Sequence, residues 1–209
     1  HLKNFRKKDW SHHDVRKSDI KNYKEFFKYL IDNNYLLIRL GHSDEPLKFN
    51  DTNYDKNFIN YSTYNRDDTL DFYLMSKSYI YITSCSGLDH LAFALNIPMM
   101  IDTPIINHFF TENSNTMYLL KRFYCEEKKE FMKVDEIFKR FIFKDKKNEF
   151  KDSKLTVKDN TKEELVSAFE DLNYSIKNNF KFNLEINDFN NKVWNKYIKY
   201  NNTITKNYF

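Results

Sequence analysis

Tyr79-Ile80-Tyr81-Ile82-Thr83-Ser84-Cys85-Ser86-Gly87-Leu88-Asp89-His90-Leu91-Ala92-Phe93-Ala94-Leu95 reads as an apolar strand, a turn of small residues, and an amphipathic helix. Residues 79–83 are the strand, and Leu88, Leu91, Ala92 and Leu95 recur at helical steps beyond the turn. The chain has only 2 glycines, Gly41 and Gly87, and each falls where a strand gives way to other structure. A chain so poor in glycine keeps one where φ is positive or where something comes close to the backbone. Free N–H groups and the positive end of a helix dipole at such a turn suit a phosphate. An ordinary strand-to-helix turn with serine caps would use the same residues.

Outward from this stretch the pattern repeats. Ile20, Tyr23, Phe27, Leu30 and Ile31 predict a helix over 19–34, with Ser18 or Asp19 as its cap. Tyr35-Leu36-Leu37-Ile38-Arg39-Leu40 is a continuous apolar run ended by Gly41, as expected of a strand covered on both faces. Residues 42–56 read as polar loop and Phe58–Tyr61 as a short strand. A helix from Asp67 or Asp68 to about Lys77 places Leu70, Tyr73 and Leu74 on one side. Pro98-Met99-Met100-Ile101-Asp102 opens a further strand, with proline allowed as its first residue. This alternation predicts an α/β chain, a Rossmann-like parallel sheet flanked by helices, with ligands at the carboxyl ends of the strands. Arg39, Gly41, the 83–89 turn and Asp102 all belong to such ends.

Beyond residue 111 the signal weakens. Residues 133–142 read as helix, 144–153 as a charged loop, and Leu155-Thr156-Val157 as a strand. Asn160-Thr161-Lys162-Glu163 opens a strong helix through Leu165, Ala168, Phe169, Leu172 and Ile176. A last helix is expected near 187–199. No repeat or linker divides the chain, so 1–209 is read as one Rossmann-like domain, with core βα units over 1–110 and the remaining units and C-terminal helices over 111–209.

Composition bounds the function. With 41% hydrophobic residues, 20 Phe and 15 Tyr, the chain can build a core. The net charge of +4 comes from 34 basic and 30 acidic residues spread throughout, which argues against a nucleic-acid surface. No run reaches the ~18 apolar residues of a membrane span. Two cysteines, Cys85 and Cys125, allow no metal or disulfide framework, and a reduced, cytoplasmic setting is expected. His12 and His13 have no third ligand beside them, so no metal is expected. Asp67, Asp68 and Asp71 are read as first-turn acids.

Arg39 at the end of an apolar strand needs a partner. That partner is either a phosphate, held bidentately, or a carboxylate such as Asp102, which would tie two strand ends together. Cys85, at the point where hydrolases expose a nucleophile, gives the competing reading of a Cys85-dependent hydrolase. His42, His90 and His108 are its candidate bases, none at a diagnostic spacing. The third reading is a non-catalytic Rossmann-like interaction module.

Taken together, several stretches resemble, in order, the motifs of a glycosyltransferase family from bacterial surface-polysaccharide gene clusters. They are Arg16–Tyr23, Tyr35–Gly41, Asn57–Ser62, Asp71–Met75, Thr83–Leu88, Asn96-Ile97-Pro98 and Asp159–Glu164. The resemblance implies a GT-B architecture, this chain being its C-terminal, donor-binding half. The N-terminal half is then missing, and the start at His1 without a methionine fits a fragment. It also implies donor-diphosphate contacts at Lys3, Arg39, Gly41, Ser84, Ser86, Gly87 and Leu88. His1-Leu2-Lys3-Asn4 is similar to a His-x-Arg-Asp stretch of the family, distantly fucosyltransferase-like; Lys3 stands for the arginine and lacks its bidentate fork. The implied partners are a nucleotide-sugar and a glycan or lipid-linked acceptor, with peripheral association at the inner face of the cytoplasmic membrane left open. No cofactor is implied, because the diphosphate leaving group is stabilised by cationic side chains and main-chain amides. No catalytic base is assigned.

Overall fold

The computed structural model describes residues 18–41, 46–64, 67–104, 115–133, 136–137 and 154–180. Lys3, His42, His108, the helix expected over 187–199, the loop over 144–153 and most of 133–142 lie outside them. Within the described residues the protein is mixed α/β. A 3-10 turn, Ile20–Tyr23, leads into α1, Lys24–Asp32, with Asp19 accepting from the Lys21 amide at 2.9 Å. Strand β1, Leu37–Ile38, pairs in parallel with β2, Phe58–Ile59. Strand β3, Tyr81–Thr83, pairs in parallel with β4, Met99–Thr103, and β4 with β5, Thr116–Leu120. A third sheet is antiparallel: β6, Arg122–Cys125, lies between β7, Glu130–Phe131, and β8, Leu155–Lys158. The remaining helices are α2 (Thr52–Lys56), α3 (Asp68–Ser76), α4 (Asp89–Ala94) and α5 (Lys162–Lys177).

Four expectations need correction. Residues 42–56 are not all loop: Asp51 caps α2 by accepting from the Asn53 amide at 2.9 Å, and Leu47 and Phe49 are buried. The buried side of α3 is Asp71 and Met75, while of the expected side Leu70 and Tyr73 are exposed and Leu74 is half-buried. Residues 116–131 form three strands where none was expected. Leu155–Lys158 is a strand, but its neighbour β6 runs antiparallel, so this part of the chain does not continue the parallel βα pattern.

Two apolar layers sandwich the parallel strands. On one side α1 and α5 pack together, with Phe26, Leu30, Leu165, Phe169 and Leu172 buried; Leu37, Ile80, Ile82, Met117 and Leu119 point into this cluster. Phe26 and Phe169 meet edge to face with centroids 6.1 Å apart. Each such side chain contributes about 1.5–3 kcal/mol by leaving water. On the other side Met75, Ala92, Ile97, Met99 and Ile101 form a second cluster, which Leu40, Tyr81 and Tyr118 join. The alternation within 37–40 and 80–82 is the two-residue period of a strand covered on both faces.

Scarce glycine is offset by asparagine. Asn34, Asn50 and Asn96 take left-handed conformations at φ 66°, 59° and 56°, which asparagine tolerates better than most residues. Helix α5 opens on a capping box: the Thr161 hydroxyl accepts from the Glu164 amide at 3.3 Å, and the Glu164 carboxylate accepts from the Thr161 amide at 2.8 Å. Thr161→Ala is expected to lower the unfolding free energy by about 1 kcal/mol, read as a shifted urea midpoint with an unchanged slope.

Candidate functional site

The apolar runs that make β1 and β3 set their carboxyl ends beside one cleft of about 710 Å³. Residues 34–40 and 77–84 line it along both strands, with Ser86, Leu74 and, from the other layer, Tyr23, Phe27 and Phe169. Three of the residues named from sequence meet here: Arg39, Ser84 and Ser86. Gly41 and Gly87 stand next to this lining, and Leu88 is the residue preceding α4, packed on the second core cluster instead. Lys3 lies outside the described residues.

Arg39 is half-buried, and its guanidinium donates to the Asn60 side-chain oxygen at 3.4 Å. That oxygen also accepts from the Ser62 hydroxyl at 3.2 Å. The Asn60 amide nitrogen is buried and finds no hydrogen-bond partner among the described residues. An unused donor beside a guanidinium is a local preference for an anion or a carbonyl. In the sequence Asn60 stands out only as part of the Asn57–Ser62 motif; its place beside Arg39 comes from β2 ending beside β1, which no local pattern predicts.

Arg39 does not pair with Asp102. Asp102, 1% exposed at the end of β4, accepts from the Tyr23 hydroxyl and, at 2.8 Å, from the Asn160 amide. Its cation is Lys121, 3.9 Å away and fully buried, which also bonds Ser18 at 2.6 Å and pairs with Asp159. Burial holds the Asp102 carboxyl above the usual carboxylate range despite these donors. Burial, followed by the Asp102 charge, raises the Tyr23 hydroxyl. The role of tying strand ends together therefore belongs to a lysine that sequence reading passed over.

The 83–89 turn is organised by a carboxyl group. Asp89, fully buried, accepts from Thr83 at 2.8 Å and from the Ser86 hydroxyl at 3.1 Å, and Tyr81 and Ser86 share a further hydrogen bond of 3.1 Å. The second Asp89 oxygen has no partner among the described residues. Burial raises its carboxyl above the usual range, and burial, with Asp89 adding to it, pushes Tyr81 up to about 12. The positive φ of the turn, 73°, sits on Cys85 and not on Gly87. Nothing lies within 4 Å of where a Gly87 side chain would begin, so neither backbone conformation nor crowding among the described residues requires glycine there. Gly41 has φ +90°, a conformation that glycine adopts without strain.

A carboxyl group whose folded pKa exceeds its unfolded value of about 3.9 lowers stability as pH rises through that window. Asp89→Asn is thus expected to flatten the fall in stability between the ordinary carboxylate range and neutrality, read from urea midpoints across pH. An unchanged pH profile would contradict the burial of charge at this turn.

Among the described residues no His, Cys, Asp and Glu cluster could hold a metal, and no helix is long and apolar enough to cross a membrane. No family model matches the chain, nor does any curated protein or solved structure.

Proposed function

We propose that this chain is the donor-binding part of a GT-B glycosyltransferase, gripping the diphosphate of a nucleotide-sugar where β1 and β3 end. One observation carries the reading. Arg39 and the Ser84–Ser86 turn come from separate strand–loop units yet border the same cleft at the carboxyl ends of parallel strands, the usual location of ligands in doubly wound sheets. The connection order, with β2 on one side of β1 and β3–β4–β5 forming a separate run, is what a sheet reversing direction between β1 and β3 would give.

The turn's own hydrogen bonds refine the assignment. Because Asp89 and Tyr81 hold the Ser86 hydroxyl and Asp89 also takes the Ser86 main-chain N–H, the diphosphate would meet the Ser84 hydroxyl, the main-chain N–H of Gly87, and the Arg39–Asn60 donors. Cationic and amide donors placed where the leaving group gains charge lower the barrier to sugar transfer. The acceptor, a glycan or lipid-linked sugar, would approach from the other half of such an enzyme. A Cys85 nucleophile has less support, since its side chain packs with the second core cluster and does not line the cleft.

Thermal unfolding with UDP-, GDP-, ADP- and CMP-linked sugars tests the reading. One of them, at 100 times its Kd, should stabilise the protein by about 2.7 kcal/mol. No response to any of the four would refute it.

A further inference from the structure

Strands β1 and β3 face each other across the cleft without hydrogen bonding, although everything around them is arranged for pairing. The amides of Leu37 and Arg39 reach across to β2, bonding Asn57 and Ile59 at 2.9 Å each. By the two-residue period of a strand, the main-chain groups of Ile38 and Leu40 point the other way, toward β3. On β3 the Tyr81 amide bonds Pro98 at 2.8 Å, so Ile80 and Ile82 point toward β1. The faces are already in phase. Leu37 enters the same cluster as Ile80 and Ile82, and Leu40 the same cluster as Tyr81.

The opening is a slit through a would-be sheet. Phe27, Leu30 and Phe169 from one layer and Leu74 from the other line the same cleft, whereas a hydrogen-bonded sheet would keep them apart. One end is pinned: Tyr35 and Tyr79 stack with centroids 6.3 Å apart, and the Tyr79 hydroxyl donates to Asn173 on α5 at 2.9 Å. Beyond that pin Leu36 and Ile38 are 57% and 36% exposed. Apolar side chains and strand edges left open to a largely apolar slit favour closure.

We propose that this seam is a zipper, hinged at the Tyr35–Tyr79 stack. It closes to pair β1 with β3 in parallel and makes one five-stranded sheet in the order β2-β1-β3-β4-β5. Closure shuts the slit and draws Arg39 and Gly41 toward the Ser84–Gly87 turn. A ligand bridging those two ends therefore favours the closed state by its differential affinity. Only this coupling to a ligand rests on the donor-binding reading; the zipper itself does not.

Amide hydrogen exchange on the 209-residue chain tests it. Ile38, Leu40, Ile80 and Ile82 should show protection of about 10- to 100-fold, and Leu37, Arg39, Tyr81 and Met99 at least about tenfold more. Ile80→Pro removes a donor that only the closed seam uses, at a position before the strand's first residue. It should speed exchange at Ile38, Leu40 and Ile82 and leave Met99 protected. Seam amides as slow as their neighbours would mean a permanently paired sheet, and seam amides with no protection would mean strands that never pair; either overturns the proposal. UDP and GDP, added separately, should raise seam protection further. Intermediate protection that neither nucleotide changes would uphold the zipper while removing its link to the donor.

Discussion

Lys121→Met is expected to cost the fold about 3–5 kcal/mol at neutral pH. The ammonium group is fully buried, within 3.9 Å of Asp102 and paired with Asp159. Its loss strands the Asp102 carboxyl, itself 1% exposed, with only the Tyr23 and Asn160 donors. Asp159 keeps 30% of its side chain in water and can be solvated, so the penalty falls mainly on Asp102. A small domain has about 5–15 kcal/mol to lose, so the variant should unfold at much lower urea. The deficit should shrink in acid. Without the lysine the folded-state pKa of Asp102 rises further above its unfolded value, and the stability lost by holding it ionised returns as the carboxyl is protonated. Adding Asp102→Asn to Lys121→Met should restore part of the loss. A single variant as stable as the parent would show that the network does not hold β4, β5 and the start of α5 together.

The second large effect concerns binding. Arg39→Ala should weaken nucleotide-sugar affinity about 10- to 100-fold, the range expected for losing charge-assisted hydrogen bonds to a diphosphate. Arg39→Lys keeps the charge without the planar fork and should fall between parent and alanine. Because the guanidinium is half-buried and not part of either core cluster, the fold should tolerate both changes. Calorimetric titration at two salt concentrations separates the cases, since a charge contact at a partly exposed site weakens with ionic strength. Parent-like affinity in Arg39→Ala would remove the arginine from the site.

The core of the fold was readable because its strands are uninterrupted apolar runs. Residues 79–83 and 98–102 read as covered strands, and Asn160-Thr161-Lys162-Glu163 announced α5, whose cap proves to be Thr161 with Glu164 as its partner. Residues 116–131 hid three features at once. Thr116–Leu120 is half-buried along its whole length, so no clear period appears, and Arg122–Cys125 alternates for an antiparallel sheet whose partner, β8, is distant in sequence. The hairpin turn between β6 and β7 gave no signal either, because Lys129 takes the left-handed φ of 54° where glycine or asparagine would usually stand. In α3 Leu70 and Tyr73 drew attention to the exposed face, while the buried one was carried by Met75 and Asp71.

The candidate site divides in the same way. Arg39 and the serine turn were legible from their local setting, an arginine in an apolar run and a glycine kept in a glycine-poor chain. Asn60, Lys121 and Asp89 were not, because each owes its role to what the chain folds against. Lys121 looks like any lysine ending a strand until Asp102 and Asp159 are placed around it. Asp89 looks like a first-turn acid favouring a helix dipole until its burial beneath Thr83 and Ser86 is seen.

Amide chemical shifts of the chain, followed while UDP, GDP, ADP and CMP are added in turn, decide whether the ends of β1 and β3 hold a nucleotide diphosphate. One nucleotide should shift the amides of Arg39, Ser84, Ser86 and Gly87 in a saturable way and leave those of β6 and β8 in place. Shifts confined to other regions, or none with any of the four, would contradict the assignment.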